Sequence, residues 1–288
     1  MRRIALLALF SALLPMLRAD DLTNKMTARL SEEAAAFLKI APLLLGAEAL
    51  QQRSLKPPSR FRPLAGAAPA DHWTERAVVS AYGFSIFSDG AIHELRQVTS
   101  VDGRRVGESK KAQESLAKAI IATDDARKRA MLKEFEKQGL ASAVTDFGQL
   151  LLLFSRRDLD RYEFTQRSPI MIGYDRALVW TYKQLDGPES LTLFEQSKAR
   201  HLRVGGQIRV RSTDFLPLQI TLITQEGDVP KSVREEAAVT YELSKFGALL
   251  PKSTEHRELR NGKLVMENRF SYTDFHKFGA SSDVTFPK

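Results

Sequence analysis

The residues best suited to chemistry in this chain are its five histidines, His72, His93, His201, His256 and His276. No two of them stand at the spacing of a helical zinc motif such as HExxH. Glu255 adjoins His256, but neighbours along a strand point to opposite faces, so the two cannot act together. Asp274 and His276 share a face near a strand end, in the manner of a surface pair. GFSIF at 83–87 is not a GxSxG elbow, and no GxGxxG or Walker loop occurs. A Ser-His-Asp triad or a carboxylate pair drawn from distant segments leaves no local mark. The chain has no cysteine, which removes thiol catalysis, disulfides and a lipidated N-terminal Cys. No catalytic residue, metal ligand or cofactor is assigned, and a non-enzymatic protein is expected.

The conspicuous side chains are apolar. Trp180 and Tyr182 alternate with their neighbours on one expected strand, together with Leu178; Tyr82, Phe84 and Ile86 do so on another. Ile208 and Val210 share a face against Gln207, Arg209 and Arg211. Leu218, Ile220 and Leu222 alternate with Gln219 and Thr221. Leu264, Met266, Phe270 and Tyr272 share a face on which Asn268 is the one polar intruder, and Asn268 therefore needs a buried partner or marks a polar point in a cavity. Strands with one apolar and one polar face suit an antiparallel sheet wetted outside and covered inside.

The elements that position these residues follow from period and turn chemistry. Leu22, Met26, Leu30, Ala34, Phe37 and Leu38 recur at helical spacing up to Pro42, and a second helical piece is expected through Leu45, Ala49 and Leu50. The Pro- and Gly-rich stretch 56–69 reads as a linker. A hairpin follows over 78–101, then helices over 108–139 and a very apolar third helix over 144–154. Strands are expected at 161–164, 177–184, 191–196, 207–213, 218–224, 237–245, 253–260 and 263–273, with Asn261-Gly262 as a type I′ turn. The fold class is thus α+β: a long curved antiparallel sheet, an incomplete β-barrel, packed on and lidded by several helices.

Arg2 and Arg3, an apolar run at 4–14 and Ala19 read as a signal peptide over 1–19. A helical region and linker would occupy 20–70, and the half-barrel domain 71–288, with its helical insertion at about 108–155. A secreted bacterial protein of the periplasm or exterior is expected, with no transmembrane segment once the signal is removed. The formal charge of +8 suits peripheral contact with an anionic membrane surface, and no nucleic-acid motif accompanies it.

The stretches GGQIRVRSTDFLPLQITLI (205–223), AAVTYELSKFGALLPKS (237–253) and ENRFSYTDFHKFGASSDVTF (267–286) resemble the strand-turn-strand pattern of the LolA-like periplasmic lipoprotein carriers. That resemblance implies an incomplete barrel closed by helices around an apolar cavity for acyl chains. In those carriers an arginine helps to hold the lid, and no arginine here is matched to it. The expected function is a carrier holding a lipid or acylated ligand against Trp180, Tyr182, Ile208, Val210, Leu218, Ile220, Leu222, Met266, Asn268 and Phe270. The alternatives are a hydrolase with a dispersed site at His256 or His276, or an envelope interaction protein whose sheet interior is only a core.

Overall fold

The computed structural model describes residues 5–56, 71–138, 140, 146–172, 175–185, 191–195, 198–226 and 232–278. The expected linker falls almost wholly outside them, as do the side chains of the expected signal segment. Helix α1 (Ala5–Ile40) puts Met26, Leu30, Ala34 and Phe37 on one fully buried stripe. Leu38 sits a further 100° or so round the helix and is 40% exposed, so it leaves the face expected of it. Among the described residues no helix is long and apolar enough to cross a membrane.

One antiparallel sheet of 11 strands carries the fold. Its strands are β1 (Leu44–Leu55), β2 (Trp73–Ile86), β3 (Ile92–Val101), β4 (Arg104–Arg105), β5 (Tyr162–Ile172), β6 (Asp175–Gln184), β9 (Gly205–Arg211), β10 (Pro217–Glu226), β11 (Val233–Leu243), β12 (Leu249–Arg260) and β13 (Lys263–Lys277). They lie in the order β4-β3-β2-β1-β13-β12-β11-β10-β9-β6-β5. Two more strands, β7 (Leu191–Glu195) and β8 (Lys198–Leu202), pair with each other. Asn261 and Gly262 take positive φ between β12 and β13, as a type I′ turn demands.

Two helical expectations are corrected. The second helical piece is strand β1, which pairs with both β2 and β13. Its inward residues run Glu48, Leu50, Gln52, so the apolar alternation that marks a strand is broken by buried polar groups. The third helix is a 3-10 segment, Phe147–Phe154, with non-helical angles at Gln149. Its run of leucines has no polar face to present to water, and it lies buried across the sheet instead.

That segment also measures the curvature. Its Gly148 amide meets Glu94 on β3, and its Phe154 ring meets Tyr182 on β6, with ring centroids 4.9 Å apart. Flat, those strands would stand about 38 Å apart, whereas six residues of chain span at most roughly 21 Å even when fully extended. The sheet therefore wraps around the segment and α1 into an open trough, and its edge strands do not close on each other. On the opposite face, helix α2 (Ser109–Ile120) packs Leu116, Ala119 and Ile120 against Leu45, Ala81 and Leu95. Helix α3 (Ala126–Glu136) reaches round the β3 edge, so that Phe135 joins the main core.

Candidate functional site

The inner wall of the trough is built in cross-strand rows. One runs Trp180, Ile208, Ile220, Val239, Thr254, Phe270, Leu50 and Val78 through direct partners on successive strands. A second runs Leu222, Ala237, His256, Asn268 and Gln52. Of the ten residues expected to line a site, Trp180, Tyr182, Ile208, Val210, Ile220, Leu222, Met266, Asn268 and Phe270 are all buried on this wall. Leu218 is the exception. A register shift between Pro217 and Gln219 makes it an extra residue opposite β9, so it is only half-buried and Leu216 takes its place in the core.

The chain's own elements cover this wall. Trp180 donates its indole N–H to Thr23 Oγ1 of α1 at 3.0 Å. Phe37 of α1 meets Phe84 edge-on, with centroids 4.9 Å apart. Tyr182 lies across Gly206, where any Cβ would stand 2.0 Å from the Thr221 carbonyl oxygen; its hydroxyl donates to that oxygen at 2.9 Å.

Sequence patterning missed the polar half of the wall. Arg96 donates through Nε to both oxygens of Glu48, at 2.8 and 3.0 Å, and through Nη2 to Glu94. Rings of Tyr82, Phe135 and Phe270 surround its guanidinium at 5.1–5.7 Å. Glu94 also accepts the Gly148 amide at 2.5 Å. Two buried carboxylates share one arginine here. Burial pushes the Glu94 carboxyl up to about 8, against the pull of Arg96 and with help from Asp146 and Glu48. Burial also works against the charged form of Arg96, but Glu48 and Glu94 outweigh it and hold the guanidinium well above its ordinary value. Beside this triad, the buried Ser80 and Tyr82 hydroxyls make no hydrogen bond among the described residues.

Asn268 has the partners its position required. It accepts from Gln52 at 2.6 Å, and its amide nitrogen lies 3.3 Å from His256 Nδ1. His256 Nε2 lies 2.7 Å from Glu235. An amide can only donate to Nδ1, so the imidazole proton belongs on Nε2, facing Glu235. Both ring nitrogens are thereby engaged in a histidine that is 1% exposed. His276 meets the backbone carbonyl of Asp274 at 2.8 Å rather than its carboxylate. Asp274 takes positive φ there, which breaks the simple alternation expected of the pair.

Polar grooves open on the outer face. One of about 540 Å³ runs past Arg53, Glu75, Asp102, Glu267 and Arg269. Most of its charges sit in ion pairs: Glu267 contacts Arg53 and Arg269 at 2.8 and 3.4 Å, and Asp102 contacts Arg76 at 2.8 Å.

No protein-family model matches the chain, and no curated protein matches it. Among solved structures the chain is similar to a candidate outer membrane lipoprotein-sorting protein domain from Vibrio parahaemolyticus, with 9% identity and a TM-score of 0.34 over 88% of this chain and 93% of that one. It is similar to a DUF1329 family protein from Desulfovibrio piger, with 9% identity and a TM-score of 0.37 over 91% and 92%. A LolA superfamily protein from Nitrosomonas europaea gives 12% identity and a TM-score of 0.32 over 89% and 98%. The superfamily that the strand patterning resembles is thus represented among them. Likeness at this level carries no argument about what the chain binds.

Proposed function

We propose that the protein is a secreted, non-enzymatic carrier of an acyl chain or similar apolar group, seen here in a closed form. In this reading residues 147–154 occupy the place that the ligand takes. The observation that carries it is how that segment is held. FGQLLLLF is not one continuous helix but short 3-10 turns joined across a kink at Gln149, whose angles are non-helical. Polar anchors on the wall tie it down: Glu94 on the Gly148 amide and Tyr241, whose hydroxyl accepts the Leu151 amide at 3.0 Å. Gln149 adds a third anchor on the Ile92 carbonyl at 2.8 Å, and the rest of the segment's hold is apolar contact, which an acyl chain can replace in kind.

The buried polar groups support the same reading. A core needs no charged triad, since well-packed apolar residues in its place are often as stable or more so. A trough that opens can turn the free Ser80 and Tyr82 hydroxyls and the Arg96 cluster toward a ligand's polar end. The expected signal peptide supports a periplasmic or extracellular site of action.

The test is titration of the protein with a long-chain fluorescent fatty acid, alongside native mass spectrometry before and after delipidation. Saturable binding by the protein, and tighter binding by Leu151→Ala, whose smaller side chain fills the trough less, is the expected result. A protein that takes up no probe, with Leu151→Ala equally inert, would leave the trough as a core and favour an interaction protein of the envelope.

A further inference from the structure

Exposed apolar side chains gather at one end of the sheet. Register places the start of β1, the end of β13, the start of β12 and the end of β11 together there: Leu44 partners Lys277 and Leu243 partners Leu249. The C-terminus of α1 feeds into this end through residues 41–43. Leu38, Leu43 and Leu243 are 40%, 48% and 52% exposed. Phe246 tips the turn between β11 and β12, and the Phe278 amide donates to the Leu43 carbonyl.

Cations ring these tips. Lys245 and Lys277 hold their ammonium groups 5.3 and 5.9 Å from the centre of the Phe246 ring, and Lys39 adjoins Leu38. None of these three lysines forms an ion pair among the described residues, although Lys25, Lys111, Lys128, Lys137, Lys252 and Lys263 do. Among the described residues two carboxylates lie close along the chain, one paired with a lysine and one that keeps its charge, so the three lysines outnumber them. Glu242 is held by Lys252 at 3.1 Å, and Asp274 accepts the Thr273 hydroxyl at 3.0 Å. A set of unpaired ammonium groups beside projecting leucines, two of them over a half-buried aromatic ring, is the chemistry of a bilayer interface. Lysine stems lie along apolar surface while their charges reach anionic head groups.

We propose that this rim docks on an anionic lipid bilayer, with Leu43 and Leu243 entering the head-group boundary, the half-buried Phe246 ring behind them, and Lys39, Lys245 and Lys277 binding the lipid charges. The assignment does not depend on the trough taking a ligand, because the rim lies on the outside of the molecule. The free charges fit an anionic surface better than a second copy of this chain, whose matching rim would bring the same lysines together.

The test is flotation of the purified protein with two vesicle preparations, phosphatidylcholine alone and the same lipid with about one quarter phosphatidylglycerol. Binding to the anionic vesicles alone, falling as salt is raised, is expected. Replacing Lys39, Lys245 and Lys277 by Gln should weaken it by about fivefold per lysine. Leu43→Ser with Leu243→Ser should weaken it by about tenfold or more. All five positions are exposed, and an unchanged circular dichroism melt shows that the fold is kept. Equal binding to both preparations, or binding to neither, overturns the proposal. So does a loss of self-association in the double serine variant without any vesicle binding, which would make the rim a contact between copies.

Discussion

The Gly148 amide donates to Glu94 Oε1 at 2.5 Å, and this one bond ties the 3-10 segment inside the trough to a carboxylate that also serves Arg96. Next to it, Asp146 accepts the Glu94 amide at 2.9 Å and meets His93 Nδ1 at 2.6 Å. Two titrating side chains therefore guard the entry of the segment.

Their pH dependence has the same sign. Folded Glu94 keeps its proton up to about 8, against an ordinary 4.5. Between those values the folded state binds more protons than the unfolded one, so stability falls as pH rises. For His93, burial pulls the pKa down, but the hydrogen bond and charge of Asp146 outweigh it and the net shift is upward from 6.5. Its contribution is full below that value and is lost as pH rises through the raised one. Urea midpoints measured from about pH 5 to about pH 9 should fall, and Glu94→Gln should flatten the slope. A slope unchanged in Glu94→Gln would remove Glu94 from this role.

Gly148→Ala should destabilise by about 1–3 kcal/mol. Its methyl would stand 2.7 Å from Glu94 Oε1 and 2.8 Å from the Tyr82 hydroxyl, both on buried side chains with little room to move. Denaturant unfolding gives the figure. A neutral result would mean that the segment can lift away from the wall at no cost.

Phe154→Ala should cost about 3–5 kcal/mol, since it removes a fully buried ring that touches Tyr162 and Tyr182. If the segment gives way to a ligand, a fatty acid should restore part of the lost melting temperature in this variant by filling the space. Thermal melts with and without the acid measure both effects.

Asn268→Leu should lose about 1–3 kcal/mol. It takes one of the two ring partners from His256, which is 1% exposed and cannot turn to water for another. Chemical denaturation of the variant beside Asn268→Asp, which keeps an acceptor for Gln52 but offers His256 a carboxylate, separates the two contacts. Equal stability of all three proteins would show that the row carries no energetic weight.

Much of the sheet is legible in the amino-acid sequence. Ile208 with Val210 and Ile220 with Leu222 declare their strands by strict alternation, and Asn261-Gly262 declares the hairpin, because both signals are local and depend only on backbone geometry. The stripe from Met26 to Phe37 is local in the same sense. Strand β1 is hidden because Glu48 and Gln52 point inward, and an inward polar residue makes sense only once Arg96 and Asn268 are known to stand opposite. Leu218 escapes the pattern because a bulge adds one residue and turns a single side chain out of an otherwise regular face. Above all, the conformation of residues 147–154 is set by what they touch. An apolar run has no polar face from which to read an orientation, and the Glu94, Tyr241 and His256 side chains that fix its place come from strands 54 to more than 100 residues away in either direction along the chain. Local periodicity determined which apolar residues face inward along the regular strands. Tertiary contact between distant charges decided what that interior holds.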